Sequence, residues 1–242
     1  MSYLCLCCHT RYEAHASWCF VCGEAGYIQR QFGRRSALVD NIAEETDARA
    51  LAASQWGTVE CGAFPSLRLG VGALVVIHGP PGAGKSHCTT RLLDTVPGPV
   101  LLVSAEEAPG PTLGERLSRC AVKRADFGIV GRASVDQIVA IAVRRKAVAI
   151  AVDSVQVSQF TPRDLRHLLA VLPDLKVLFA VSQQNKAGVV AGRNDLIHEA
   201  DVVLRVEGGA WSLEKSRYQD SASMPPQSVR PNVERPSHVE VH

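Results

Sequence analysis

The chain has 242 residues, a formal net charge of +2 and 5% aromatic residues. That length holds one medium domain plus a small appendage, with a core large enough to fold without staples. The charge balance neither demands nor excludes a nucleic-acid partner, few aromatics argue against a broad base-stacking platform, and no run of about 18 apolar residues offers a membrane span.

Five of the eight cysteines fall within the first 22 residues. In "CLCCHTRYEAHASWCFVCGE", Cys5-x-x-Cys8 and Cys19-x-x-Cys22 form two knuckles. Each knuckle turns two thiolates toward one ion, and two knuckles complete a tetrahedral Zn²⁺ site. Cys7 and His9 are left over, because Cys5 and Cys8 have the better spacing. Tyr12 and Trp18 are expected to pack over the small core. Four protein ligands close the coordination shell, so the zinc is expected to be structural, in a ribbon over residues 1–27. No basic segment followed by an apolar run opens the chain, so no signal peptide is expected and a cytoplasmic location is. Reduced thiols there favour metal over disulfides.

Residues 28–56 read as a linker. Within it "ALVDNIAEETDARALAAS" carries only a thin apolar stripe, consistent with an exposed helix. From Leu69 the texture changes. "ALVVIHG" (73–79), "PVLLVSAE" (99–106), "AVAIAVD" (147–153) and "KVLFAVS" (176–182) are near-continuous apolar runs, as strands buried on both faces read. Helices are expected at Ser86–Asp94, Thr112–Val122, Ser134–Arg145 and Pro162–Leu172. Ser134 caps the third, and Arg144, Arg145 and Lys146 satisfy its dipole. Two short strands follow at Asp201–Val206 and Trp211–Lys215. Alternation of strand and helix predicts an α/β domain over 57–218, a parallel sheet flanked by helices. From Gln219 onward Pro, Ser and charge predict a disordered tail over 219–242.

The first of these strands leads into Gly79-Pro80-Pro81-Gly82-Ala83-Gly84-Lys85-Ser86, followed by His87. This fits G-x-x-x-x-G-K-[ST] in the strand-to-helix context that a phosphate-binding loop requires. Glycines let backbone amides wrap phosphates. Lys85 is expected on the β and γ phosphates, and the Ser86 hydroxyl on Mg²⁺. Asp153, closing the third apolar run, is placed to hold Mg²⁺ through water. Ser154 follows it, so the catalytic base must come from another strand. Glu106 and Glu107 end the second run, and Glu106 is expected to polarise the water that attacks the γ-phosphate. Gln183, ending the fourth run, offers a neutral amide as a γ-phosphate sensor. With no Asn-Lys-x-Asp guanine signature, ATP is favoured over GTP. Cys61, Cys88 and Cys120 read as packed residues.

The order of these features resembles the RadA (also called Sms) family of bacterial DNA-repair ATPases, in the RecA superfamily. The resemblance covers approximately residues 1–218. It rests on the cysteine ribbon, "HGPPGAGKS", "LLVSAEE", "AVDSVQ", "IHEADVVLRVEGG" and "EKSRY". It implies a RecA-like P-loop ATPase fold, with Lys85 and Ser86 on ATP and Mg²⁺, Glu106 as catalytic glutamate, Asp153 as the Walker B aspartate and Gln183 as sensor. It also implies that Lys215 and Arg217 serve the nucleotide response, reaching a neighbouring subunit's γ-phosphate. Lys186 and Arg193, in "NKAGVVAGRND", would line a central pore and contact DNA. A homo-oligomer, a hexameric ring in such families, and recombination proteins are the implied partners. The segment after Asp153 is shorter than the family's DNA-facing loop, "KSRY" lacks the family's Asn and Phe, and the family's C-terminal Lon-protease-like domain is expected to be absent.

The expected function is a DNA-dependent ATPase in recombination or repair, working on single-stranded or branched DNA. The competing expectation is an ATP-switched adaptor that uses its zinc ribbon to recruit a protein and does not act on DNA.

Overall fold

Val-, Ile- and Leu-rich segments form the centre of one sheet, and the glycine loop leaves from its middle. The computed structural model describes residues 2–5, 11–12, 28–31, 57–62, 64, 66–184, 194–219 and 226–228. The chain divides into two compact units, Met1–Trp56 and Gly57–His242.

In the first unit, β1 (Ser2–Cys5), β2 (Arg11–Tyr12) and β3 (Ile28–Gln31) form an antiparallel sheet in the order β2-β1-β3. Cys5 closes β1 and pairs with Ile28 of β3. Sequence reading put Ile28–Gln31 in the linker. One apolar residue in four gives no alternation to detect, and pairing with β1 makes the strand. Cys8, Cys19, Cys22 and the expected helix over 37–54 lie outside the described residues, as do the side chains of this unit.

In the second unit, β4 (Thr58–Val59) and β5 (Leu69–Gly70) form a small antiparallel pair. The main sheet contains β6 (Ala73–Gly79), β7 (Val100–Ser104), β8 (Phe127–Val130), β9 (Ala149–Asp153), β10 (Val177–Gln183), β11 (Val202–Glu207), β12 (Ala210–Ser216) and β13 (Gln227–Ser228). Their order is β8-β7-β9-β10-β6-β11-β12-β13. From β8 to β11 every pairing is parallel, and β12 and β13 add an antiparallel edge. The helices are α1 (Lys85–Thr95), α2 (Pro111–Arg119), α3 (Val135–Arg145), α4 (Val155–Ser158), α5 (Pro162–Val171) and α6 (Asn194–Glu199). This is an α/β architecture with a mostly parallel eight-stranded sheet, compatible with a Rossmann-like or RecA-like core.

Alternate residues of each strand serve opposite faces. Val75, Ile77, Leu102 and Phe179 pack with Cys88, Leu92 and Leu93 of α1 and Leu113 of α2. Leu74, Val76, Leu101, Val152 and Leu178 pack with Ile138 of α3, Leu165 and Leu168 of α5 and Leu196 of α6. Each such fully buried side chain contributes roughly 1.5–3 kcal/mol. At the antiparallel edge, Trp211 meets Phe64 edge-on at 5.3 Å between ring centroids.

Local signals agree with these elements. Ser134 and Gln137 form a reciprocal capping box on α3, and Thr161 and Asp164 form one on α5 behind Pro162 at its first turn. Two expectations need correction, and several short elements had none. β8, α4 and α6 had no prediction, being only four to six residues long. Helix α2 stops at Arg119 rather than Val122. The stretch from Gln219, expected to be disordered, supplies β13, which pairs with Ala210 and Trp211. Gln219 and Gln227 anchor that stretch by donating their side-chain amides to the carbonyl and hydroxyl of Ser66.

Candidate functional site

Parallel strands all finish at the same edge, and four neighbours in the order β6-β10-β9-β7 bring their last residues together there. Gly79 of β6 is level with Gln183 of β10. Asp153 of β9 is level with Val181 of β10 on one side and Ser104 of β7 on the other. The amides of Ala105 and Glu106 donate to the Asp153 carbonyl at 2.8 and 3.1 Å. That splice carries the chain after β7 toward the end of β9.

The glycine loop turns on backbone conformations that suit glycine. Gly82 has φ 74°, and Gly84, at the cap of α1, has φ 98°. Gly79 has φ 154°, and a Cβ there would sit 2.0 Å from the Val206 carbonyl oxygen. The first turn of α1 has neither a side-chain cap nor an acidic residue. Its amides and dipole therefore face outward to an anion without internal competition. Lys85 is buried, and its Nζ donates to the carbonyls of Gly79 at 3.0 Å and Pro80 at 2.8 Å. Burial lowers its pKa from the ordinary lysine value, while the charges of Glu106 and Asp153 oppose that shift. Ser86 follows Lys85 on α1. His87 turns to Cys120 at the end of α2, with Nδ1 3.2 Å from the sulfur.

The acids divide by environment. Gln183 donates its amide to both carboxylate oxygens of Glu106, 3.0 Å each. Glu107 instead pairs with Arg116 Nε at 3.4 Å. Asp153 is only 3% exposed, and its Oδ2 accepts from Arg116 at 2.9 Å. Its Oδ1 and the Ser154 hydroxyl are buried without a hydrogen-bond partner. An orphaned buried carboxylate oxygen costs free energy unless a cation or donor arrives. Asp153 therefore suits a hard cation such as Mg²⁺ with oxygen ligands.

The structure thus brings together Gly79–Ser86, Glu106, Asp153 and Gln183. It does not bring Lys215 and Arg217 to them. β12 runs antiparallel, and Ser216 is level with Val202, which lies beside Val75. Lys215 is level with Val203, which lies beside Val76, so at least three to four residues of β6, about 10–13 Å, separate this stretch from the loop. Lys215 Nζ donates to the carbonyls of Ile197 and His198 at the end of α6, at 2.9 Å each. Arg217 pairs with Asp201 at 3.4 Å. Asp201 also accepts from the Leu74 amide at 2.8 Å and from Arg166 at 3.1 Å. Lys186 and Arg193 lie outside the described residues. Among the described residues, no group of three or more His, Cys, Asp and Glu side chains could hold a metal; the side chains of Cys5, Cys8, Cys19 and Cys22 lie outside the described residues.

Sequence reasoning missed three groups. Arg116 belongs to a helix with no motif. Gln156 of α4 donates to the Ser182 hydroxyl at 2.6 Å and accepts from the Gln183 backbone N–H at 3.3 Å, fixing the strand end that bears Gln183. His78 lies 2.6 Å from Glu214 through Nε2 and 2.9 Å from the Gln184 amide through Nδ1, tying β6 to β12 and to the end of β10. Only Gln156 had a signal, as part of the "AVDSVQ" run.

Neither a protein-family model nor a curated protein matches the chain. The chemistry of the site therefore rests on its own residues.

Proposed function

We propose that this chain is an ATP hydrolase with a RecA-like P-loop core, acting on single-stranded or branched DNA in recombination or repair. One observation carries the hydrolase reading: the glycine loop with Lys85, the buried Asp153, and the bonded pair Glu106–Gln183 meet at one edge of the sheet. Loop amides and the α1 terminus suit the phosphates. Lys85, already aimed at the loop interior, offers its ammonium to the β and γ phosphates. Magnesium, when bound, would neutralise charge between those phosphates, with Ser86 and the free oxygen of Asp153 as its protein-side partners. Glu106 accepts the proton of the attacking water. Gln183 must yield its contact with Glu106 for that water to enter, so a γ-phosphate that attracts the amide would free the base.

The DNA part of the proposal rests on the resemblance. In it, Lys186 and Arg193 contact DNA, and an oligomer, a ring in such families, supplies Lys215 and Arg217 to a neighbour's site. The zinc ribbon on Cys5, Cys8, Cys19 and Cys22 would serve as a folded module for DNA or a partner protein.

A second reading is favoured by one observation. Both cations are engaged within their own chain, at the end of the sheet opposite its own loop. A single copy would then hydrolyse slowly and act as an ATP-switched adaptor. ATP turnover with and without single-stranded DNA separates the two, using Lys85→Ala as the blank. DNA-stimulated turnover supports the first reading. Binding of ATP with slow turnover indifferent to DNA supports the adaptor. No Lys85-dependent binding or turnover removes both.

A further inference from the structure

Arg116 is buried on α2, a helix that contributes no motif residue, yet it reaches the middle of the candidate site. Its guanidinium meets three oxygens from three places in the chain: Asp153 Oδ2 at 2.9 Å, Glu107 Oε2 at 3.4 Å and Ser104 Oγ at 3.5 Å. Two carboxylates and a hydroxyl are a donor set for a hard cation. The guanidinium occupies the space between them. Asp153 keeps its second oxygen buried and unpartnered, so the group is under-satisfied even with Arg116 present.

An acidic pocket of this kind takes up divalent metal unless another cation fills it. A metal bound to the carboxylates alone would occupy the pocket without a triphosphate. We propose that Arg116 is a resident counter-cation that excludes free divalent metal from the Asp153–Glu107 pocket, so that the site accepts metal only together with a triphosphate. The inference rests on the nucleotide-site reading above. Arg116 acts through Asp153 and Glu107 and is a positioning residue. Its pairing with Glu107 also keeps that carboxylate away from Glu106, which separates two adjacent acids into two roles.

The test uses the full chain without nucleotide and reads Mn²⁺ binding by electron paramagnetic resonance. Arg116→Ala opens the pocket and is expected to bind Mn²⁺ on the order of tenfold or more tighter than the wild type, because a unit positive charge a few ångströms away has gone. Arg116→Lys keeps the charge and should bind as the wild type does. Arg116→Ala with Asp153→Asn should lose the gain, which locates the metal. A merely structural Arg116 would change melting and leave Mn²⁺ binding alone. Equal Mn²⁺ affinity in Arg116→Ala and wild type overturns the proposal, as does a gain in Arg116→Lys equal to that in Arg116→Ala. If Arg116→Ala does not fold, Arg116→Ala with Glu107→Gln removes one of the uncompensated acids. It should still bind Mn²⁺ more tightly than the wild type through Asp153, and no gain overturns the proposal. Wild-type binding of a non-hydrolysable fluorescent ATP analogue with Mg²⁺ is measured alongside. Its absence brings down the nucleotide reading and the inference with it, whereas its presence with unchanged Mn²⁺ affinity sinks the inference alone.

Discussion

Gln183 donates its side-chain amide to both carboxylate oxygens of Glu106, at 3.0 Å each. β9 lies between the strands that lead to these residues, so the pair spans the strand that ends in Asp153. Glu107, one residue on, faces Arg116 instead. Adjacent carboxylates on an irregular segment thus have different partners, and only Glu106 is linked to the proposed γ-phosphate sensor.

That division predicts an asymmetry. Glu106→Gln is expected to bind ATP and lose turnover by roughly 100- to 10,000-fold, the usual worth of a positioned base. Glu107→Gln should keep most of its turnover. Gln183→Ala should lower kcat more than it changes nucleotide affinity, because it removes the amide that couples the γ-phosphate to release of the base and leaves the loop that cradles the phosphates. Steady-state kinetics beside direct nucleotide binding would check this. A dead Glu107→Gln beside an active Glu106→Gln would move the base by one residue.

The loop, Asp153, Glu106 and Gln183 were legible in the sequence because each follows a recognisable apolar run, and a parallel sheet collects run ends at one edge. Arg116 was not, since its contact with Asp153 spans 37 positions and starts from a helix whose pattern shows only amphipathicity. The His78 contacts with Glu214 and Gln184 span 136 and 106 positions and exist only once β12, β6 and β10 are ordered in the sheet. β8 was missed because "FGIV" is four residues with a glycine, too short to show a period, and it forms by adding to the edge at β7. Lys215 was read as a nucleotide-responsive cation. In this chain it caps α6, a role that depends on a helix of six residues that had no prediction.

Gly79 predicts a sharp stability difference within one motif. An added Cβ there would lie 2.0 Å from the Val206 carbonyl oxygen, a backbone atom that cannot move without shifting β11. Gly79→Ala is expected to cost about 3 kcal/mol or more, combining a clash with an unfavourable φ. At Gly82 no atom lies within 4 Å of the added Cβ, so only the positive φ opposes the change. Gly82→Ala should then cost about 1–2 kcal/mol. Urea unfolding of the two variants in parallel decides it, and equal losses would mean that β11 does not close on Gly79.

The buried thiols predict the alkaline limit of the fold. Burial pushes Cys61 and Cys88 up to about 12 from an ordinary 9.0. The folded pKa is the higher one, so the folded chain holds these protons after the unfolded chain has lost them. Their contribution to stability is complete below pH 9 and is lost as pH rises toward 12, each thiol removing about 1.4 kcal/mol per pH unit. Lys85 has the opposite sign: its folded pKa is lowered, so its charge costs stability at lower pH and that cost is relieved as pH rises through the lowered value. Lys215 is lowered like Lys85, whereas Cys120 and Tyr218 are raised like the two thiols, so the raised acids leave a net alkaline loss. Denaturant midpoints at pH 8 and pH 11 should fall steeply for the wild type and less for Cys61→Ala/Cys88→Ala. Parallel curves would show that the two thiols do not set the limit.

Lys215 and Arg217 were expected to act together, and their surroundings predict that they separate. Lys215 donates to two carbonyls at the end of α6, so Lys215→Ala removes a helix-end partner and should cost about 1 kcal/mol of stability. Arg217 is 57% exposed and holds Asp201 through one contact at 3.4 Å, while Arg166 and the Leu74 amide remain on that carboxylate. Arg217→Ala should therefore change stability by less than about 1 kcal/mol, as exposed ion pairs do. The start of β6, near which Arg217 lies, is the end away from the chain's own phosphate loop. A guanidinium there can serve hydrolysis only at a neighbour's site, where it would stabilise charge developing on the γ-phosphate. Arg217→Ala is then expected to keep nucleotide affinity and lose DNA-stimulated turnover. Mixing it with Glu106→Gln should restore part of the rate, because a boundary between the two chains can combine an intact base with an intact guanidinium. Each variant alone lacks one of the two at every boundary. Full turnover by Arg217→Ala, or an active protein that sediments only as a monomer, would leave Arg217 as an ordinary surface partner of Asp201 and put the adaptor reading ahead.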